Sequence, residues 1–93
     1  MSYRLRYDRN FMRKLEALPG DLRSVARQTI TTLTKNPRPA SAKELENHPD
    51  HYHLWLPRNC RLVYQVSDDE QIVDLLYVGP KLPDLYDQLG LGR

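Results

Sequence analysis

The chain has 93 residues with a formal net charge of +2, and 40% of its residues are hydrophobic and 28% charged. This length supports one small core, so we expect a single domain over residues 1–93 and exclude a second domain with its own interior. No stretch approaches the roughly 20 apolar residues that span a bilayer, and we therefore expect a soluble protein with no membrane partner.

Two features predict a cytoplasmic location. The first residues, MSYRLRYDRN, are basic but are not followed by an apolar stretch, so they do not resemble a secretory signal peptide. Cys60 is the single cysteine and cannot form an internal disulfide, which is typical of a reducing compartment. We expect Cys60 to be a small buried hydrophobic residue.

The charge is distributed unevenly along the chain. Residues 1–43 hold ten Lys and Arg against three acidic residues, whereas residues 44–93 hold four against nine. The first half therefore builds a basic surface. Two interpretations stay open at this point: a footprint for nucleic acid, or ordinary solvated helix faces.

The first predicted element is a strand. Tyr3, Leu5 and Tyr7 alternate with Arg4 and Arg6, which is the period of a half-buried strand. Its other face is solvated and positive.

Two helices follow the strand. Asp8 predicts the N-cap of the first helix, and Pro19 with Gly20 predict its end. Asp21 predicts the N-cap of the second helix, which stops before Pro37. Their predicted apolar sides consist of Phe11, Leu15 and Leu18 in the first helix and Leu22, Val25, Ala26, Ile30 and Leu33 in the second.

The second half of the sequence predicts a three-strand meander. Residues 40–50 are polar and predict a connection with a helical turn around Glu44. Gly79 and Pro80 are expected to end the last strand, and residues 84–89 predict a short helix. The predicted strands cover residues 51–56, 60–66 and 71–78.

This order of elements, β-α-α-β-β-β, predicts an α+β fold. We expect an N-terminal strand and a two-helix hairpin packed on a mostly antiparallel four-stranded sheet, with a short C-terminal helical segment. The helices cover one face of the sheet, and the other face is partly left for ligands.

The predicted hairpin brings a set of reactive side chains to one face. A turn at residues 57–59 places Trp55 opposite Arg61 and His53 opposite Val63, so His53 and Arg61 are diagonal neighbours. A guanidinium for phosphate, an indole for base stacking and an imidazole for proton transfer suit RNA as a ligand. The alternative is a surface cation–π pair beside a solvated histidine.

Other motifs point to no cofactor. His48, His51 and His53 do not match a known spacing of metal ligands, so we expect no metal site. The sequence also contains no phosphate-binding loop, no Gly-rich dinucleotide motif and no nucleophile elbow.

A series of short segments occurs in a distinctive order along nearly the whole chain. They are Tyr3, the Asn36-Pro37 end of the helix pair, Leu45, Tyr52-His53-Leu54, the run RLVYQV at 61–66, Tyr77-Val78-Gly79 with Lys81, and Leu85-Tyr86. Their order and spacing in so short a chain resemble the RelE branch of the RelE/ParE toxin superfamily. Its members are toxins of type II toxin–antitoxin systems.

This resemblance implies a ribosome-dependent endoribonuclease, an mRNA interferase that cuts messenger RNA in the ribosomal A site and inhibits translation. RelE-type cleavage is metal-free attack of a ribose 2′-hydroxyl on the adjacent phosphate, which needs a base, a cation and an acid. By its position Arg61 stabilises the transition state. Tyr86 serves as base or stacks on the base at the cut, and Lys81, where the family usually has arginine, serves as acid or phosphate clamp.

The sequence departs from the family pattern on one strand. The RelE branch usually has lysines where this chain has His53 and Trp55, so we expect a less cationic site. His53 titrates nearer neutrality than tyrosine and competes with Tyr86 for the role of base. The residues expected to bind substrate are Trp55, Arg58, Arg4 and Arg6.

The implied partners are a cognate RelB-like antitoxin, the ribosome with its mRNA, and operator DNA only through the antitoxin complex. Two other functions stay open: a ParE-like toxin that inhibits DNA gyrase without cutting RNA, and an inactive toxin acting as an antitoxin-bound corepressor. Without the family order, the favoured interpretation of Tyr86 is a tail aromatic packed on the sheet. Arg61 is then a surface arginine paired with Asp74 or Glu70.

Overall fold

The computed structural model describes residues 2–92. Its strands are β1 Arg4–Arg6, β2 Lys43–Glu44, β3 His51–Leu56, β4 Cys60–Ser67 and β5 Ile72–Pro80. Its helices are α1 Arg9–Glu16, α2 Gly20–Leu33 and α3 Leu85–Gln88. The predicted α+β class is confirmed, but the sheet has five strands in the order β1-β5-β4-β3-β2, not four.

The sheet is antiparallel except at one edge, where β1 runs parallel to β5. The predicted register of the β3–β4 hairpin is confirmed, with Trp55 opposite Arg61 and His53 opposite Val63. The turn between them is closed by the Cys60 N–H, which donates to the Pro57 carbonyl at 3.3 Å.

The helix boundaries follow from their first turns. The Asp8 carboxylate accepts the Phe11 N–H at 2.8 Å, so the predicted cap of α1 is confirmed. The predicted Asp21 cap is wrong, because α2 begins at Gly20 with Pro19 as its N-cap. The Pro19 carbonyl accepts the Arg23 N–H at 2.8 Å. Asp21 lies in the first turn of α2 and its carboxylate pairs with Arg58.

Two predictions about irregular segments are corrected by the sheet. The expected helical turn around Glu44 is strand β2, because Lys43 and Glu44 pair with His53 and Tyr52 along the free edge of β3. The last strand does not end at Val78 but continues through Pro80. Proline is tolerated there because it is the final residue of the strand, where the missing N–H interrupts no ladder.

The main core lies between the sheet and helices α1 and α2. Alternate residues of β4, namely Leu62, Tyr64 and Val66, are fully or almost fully buried in it. Burial raises the pKa of Tyr64, and its hydroxyl donates to the Pro37 carbonyl at 2.8 Å. Val25 was expected on the apolar side of α2 but is 38% exposed. Within residues 2–92, no helix is long and apolar enough to cross a membrane.

Replacing Leu62 by alanine tests the core. Leu62 has no exposed surface, so Leu62→Ala should lower the free energy of unfolding by about 3 kcal/mol through lost burial and a residual cavity. Urea denaturation followed by circular dichroism measures this change. The half-exposed Val25 is the matched control, and Val25→Ala should change stability by about 0.5 kcal/mol or less. Equal losses in both variants would contradict this assignment of the core.

Candidate active site

The face of the sheet away from α1 and α2 carries the reactive side chains. Because side chains alternate along a strand, His53 and Trp55 of β3 share this face with Arg61 and Val63 of β4. Short helix α3 packs onto the same face, where Leu85 is buried against Val63 and Tyr77. This second, smaller core fixes the position of Tyr86, the next residue along α3.

Arg61 is the only charged side chain among residues 2–92 that is buried, with 8% of its surface exposed. Its Nη1 donates to the Cys60 carbonyl at 3.1 Å, and its guanidinium carbon lies 5.1 Å from the centre of the Trp55 ring. None of the ion pairs found within residues 2–92 includes Arg61. Asp74, which the alternative interpretation paired with Arg61, instead pairs with Arg6. Within the described residues, no carboxylate thus neutralises the buried charge.

His53 and Tyr86 meet on this face. The Nδ1 atom of His53 lies 2.7 Å from the Tyr86 hydroxyl oxygen, and the two rings are nearly perpendicular. The His53 ring also lies 4.8 Å from the Trp55 ring, between ring centres. Tyr86 therefore packs on the sheet, as one interpretation held, and does so in direct contact with the predicted site.

The pKa values of the pair are shifted in opposite directions. Burial lowers the pKa of His53, and the positive charges of Arg61, Lys43 and Lys81 lower it further. Burial raises the pKa of Tyr86, while Arg61 opposes that rise. At neutral pH the imidazole is therefore uncharged and the phenol keeps its proton. In the tautomer that carries its proton on Nε2, His53 Nδ1 accepts a hydrogen bond from the Tyr86 hydroxyl.

Lys43 is a residue of this cluster that the sequence analysis did not find. It lies on β2 directly opposite His53, and its ammonium nitrogen is 5.8 Å from the centre of the Trp55 ring. Residues 40–50 have no strand periodicity, so their sequence gave no sign that Lys43 adjoins the hairpin. The site is consequently more cationic than its missing β3 lysines led us to expect.

The remaining predicted residues divide into two groups. Lys81 adjoins the cluster, since its N–H donates to the Asn59 carbonyl at 3.0 Å and its charge acts on His53. Arg58 is directed away, toward Asp21 of α2. Arg4 and Arg6 lie at the far edge of the sheet.

The separation of β1 from the cluster follows from the sheet register. Arg6 pairs with Asp74, whereas Arg61 pairs with Gly79, five residues further along β5. At about 3.3 Å per residue this is roughly 16 Å. Arg6 is also held by two hydrogen bonds to the Asp74 carboxylate, at 2.6 and 2.7 Å. The structure thus brings together His53, Trp55, Arg61, Lys81 and Tyr86, but not Arg4, Arg6 or Arg58.

Metal ligands are not grouped in the described part of the chain. Within residues 2–92, no three His, Cys, Asp or Glu side chains lie close enough to hold one ion.

Comparison with known proteins gives matches in structure but not in sequence. No family model matches the chain, and no curated protein matches it. Free E. coli toxin RelE carrying two arginine-to-alanine substitutions superposes with a TM-score of 0.80 and is 26% identical over 97% of this chain and 96% of that one.

Toxin–antitoxin complexes are similar as well. The intact E. coli RelBE complex matches with a TM-score of 0.76 and 27% identity, over 87% of this chain and 99% of that chain. The archaeal RelE-RelB complex of Pyrococcus horikoshii matches with a TM-score of 0.72 and 21% identity, over 86% and 96%. At 21% identity, the similarity to the Pyrococcus horikoshii complex concerns the fold alone.

The electrostatic origin of the low His53 pKa can be tested directly. Arg61→Met removes one cation that disfavours the imidazolium, so the pKa of His53 should rise toward its ordinary value of 6.5. An NMR titration of the histidine ring protons measures it. Arg6→Met, at the far edge of the sheet, should leave the titration of His53 unchanged. Identical curves for all three proteins would mean that burial alone sets the pKa.

Proposed function

Because the chain belongs to the RelE-type toxin superfamily, we propose that it is the toxin of a toxin–antitoxin pair and acts as a ribosome-dependent endoribonuclease. It would cut mRNA in the ribosomal A site and so inhibit translation. The observation that carries this proposal is the contact of buried Arg61 with the hydrogen-bonded pair His53 and Tyr86. Arg61 has no carboxylate partner within residues 2–92. Cleavage by a 2′-hydroxyl needs these two capacities, proton removal and stabilisation of negative charge.

The geometry supports a proton relay that uses both candidate bases. Tyr86 alone is a poor base at neutral pH, because burial raises its pKa and the phenol therefore keeps its proton. In the proposed step the 2′-hydroxyl proton passes to the Tyr86 oxygen while the phenol proton passes to His53 Nδ1, across the existing 2.7 Å hydrogen bond. The tyrosine never has to persist as a phenolate, and the proton ends on a group that is neutral at pH 7.

The cations act on the phosphate. As the ribose 2′-oxygen bonds to phosphorus and the bond from phosphorus to the 5′-oxygen breaks, Arg61 stabilises the charge that grows on the phosphate oxygens. Lys81 donates a proton to the departing 5′-oxygen. The products are a 2′,3′-cyclic phosphate and a 5′-hydroxyl. Trp55, 48% exposed beside this centre, offers a surface on which a base stacks.

The proposed partners follow from the exposed charge and from the matched complexes. RelE toxins have been solved with RelB antitoxins, and we assign this chain a RelB-like antitoxin that neutralises it. Operator DNA is then reached only through that complex. Exposed cations on α1 would contact ribosomal RNA phosphates or an acidic antitoxin segment; they are Arg9, Arg13 and Lys14.

Cleavage on translating ribosomes tests the activity. Purified protein should generate new message ends in a primer-extension assay, and Arg61→Ala should reduce their rate of appearance by about 10²-fold or more. Arg61→Lys keeps the charge but loses the planar fork, so an intermediate rate is expected. Thermal unfolding checks that each variant is folded.

The other open functions predict different results in the same experiments. A wild-type protein that makes no cuts but blocks DNA supercoiling by gyrase would support the ParE-like alternative. Absence of both activities, together with harmless expression in a host lacking the antitoxin, would support the inactive corepressor. Either result would overturn the nuclease proposal.

The proton relay predicts a specific pH dependence. Since His53 must be neutral to accept the proton and its pKa is lowered, the single-turnover rate should fall only below about pH 6.5. His53→Ala should abolish this acidic limb and slow cleavage about 10²-fold or more. Tyr86→Phe should slow cleavage comparably, because it removes the proton carrier. A Tyr86→Phe variant with the full wild-type rate would refute the relay and leave His53 acting directly.

A further inference from the structure

Lys43 lies beside the candidate active site but has no role in the proposed reaction. It lies on the two-residue strand β2 and is exposed, with its ammonium 5.8 Å from the centre of the Trp55 ring. Arg61 approaches the same ring from β4, on the other side of β3. One exposed indole is therefore flanked by cations from both neighbouring strands.

The charge of Lys43 is available to an anion. None of the ion pairs within residues 2–92 includes it. The adjacent acid, Glu44, points to the opposite side of the strand, where its carboxylate accepts the Asp50 N–H at 2.8 Å. Lys43 contributes to the lowered pKa of His53, so its field reaches the reacting groups.

The alternation of cation, aromatic ring and cation matches single-stranded RNA. In such a strand each base lies between two phosphates, and proteins bind it by stacking bases on aromatic rings while cations contact the backbone. When a base stacks on the exposed Trp55 ring, one of its two flanking phosphates lies near buried Arg61. The other phosphate lies near exposed Lys43.

We propose that Lys43 forms a second phosphate subsite, which binds the RNA phosphate next to the one that is cleaved. The nucleotide stacked on Trp55 is thereby held between Lys43 and Arg61, and the scissile phosphate is brought onto Arg61. This inference rests on the proposed ribonuclease function and adds a substrate-binding residue to it.

Substitution of Lys43 gives the first measurement. Lys43→Met should lower the single-turnover rate of cleavage on programmed ribosomes about tenfold, as expected for the loss of one charge-assisted contact. Lys43→Arg should recover most of that rate. The matched control is Lys35→Met, an exposed lysine in the loop after α2, which should cleave like the wild type. Equal thermal unfolding of Lys43→Met and wild type shows that the edge strand is intact.

Chemical neutralisation of the message identifies the contact. An uncharged methylphosphonate is placed at the linkage on either side of the cut, one at a time. At one of these linkages it should slow the wild type about tenfold and leave Lys43→Met unaffected, since that variant has already lost the contact. A merely structural role for Lys43 would not produce this non-additivity.

The outcomes separate the two proposals. Wild-type cleavage with additive effects of Lys43→Met and methylphosphonate at both linkages would overturn the Lys43 subsite and leave the ribonuclease function standing. Wild-type cleavage with an unchanged rate for Lys43→Met would do the same. No cleavage by the wild type would overturn the proposed function itself.

Discussion

The turn between β3 and β4 is the constraint on which the rest of the structure depends. Arg58 and Asn59 both have positive φ, 59° and 58°, which is the φ pattern of the type I′ turns that match the twist of a hairpin. This turn sets the register of the hairpin. A slip of β3 by one residue against β4 would move Leu54 and Leu56 out of the core and bury His53 and Trp55 in their place. The same register therefore builds both the hydrophobic core and the site.

Two features form the site: the burial of Leu85, which positions α3, and the cations that surround His53 and Tyr86. Leu85 is buried and anchors α3, so that Tyr86 lies against His53. Burial, together with the cations around this contact, lowers the pKa of the imidazole, while burial raises the pKa of the phenol. Arg61 is buried with no carboxylate partner among residues 2–92, and such a buried charge costs stability. In return, the Arg61 guanidinium is a positive group that can bind and stabilise a phosphate.

Local patterns accounted for most of the fold and part of the site. The Asp8 cap, the hairpin register and the short C-terminal helix each depend on a few neighbouring residues, and the structure confirms them. The Asp21 cap failed because Pro19, two residues earlier, is the N-cap of α2. Strand β2 was missed because two residues show no period, and only the free edge of β3 makes them a strand.

The sequence by itself determined which side chains of the hairpin share a face, because alternation and one turn fix that geometry locally. It also determined the α+β class and, through the order of its motifs, the resemblance to RelE toxins. Only the tertiary structure decided that Tyr86 bonds to His53, that Lys43 joins the cluster and that Arg4 and Arg6 do not. These contacts depend on packing between segments that are distant in sequence. Burial and electrostatic interactions between such segments produce no periodic pattern in the sequence.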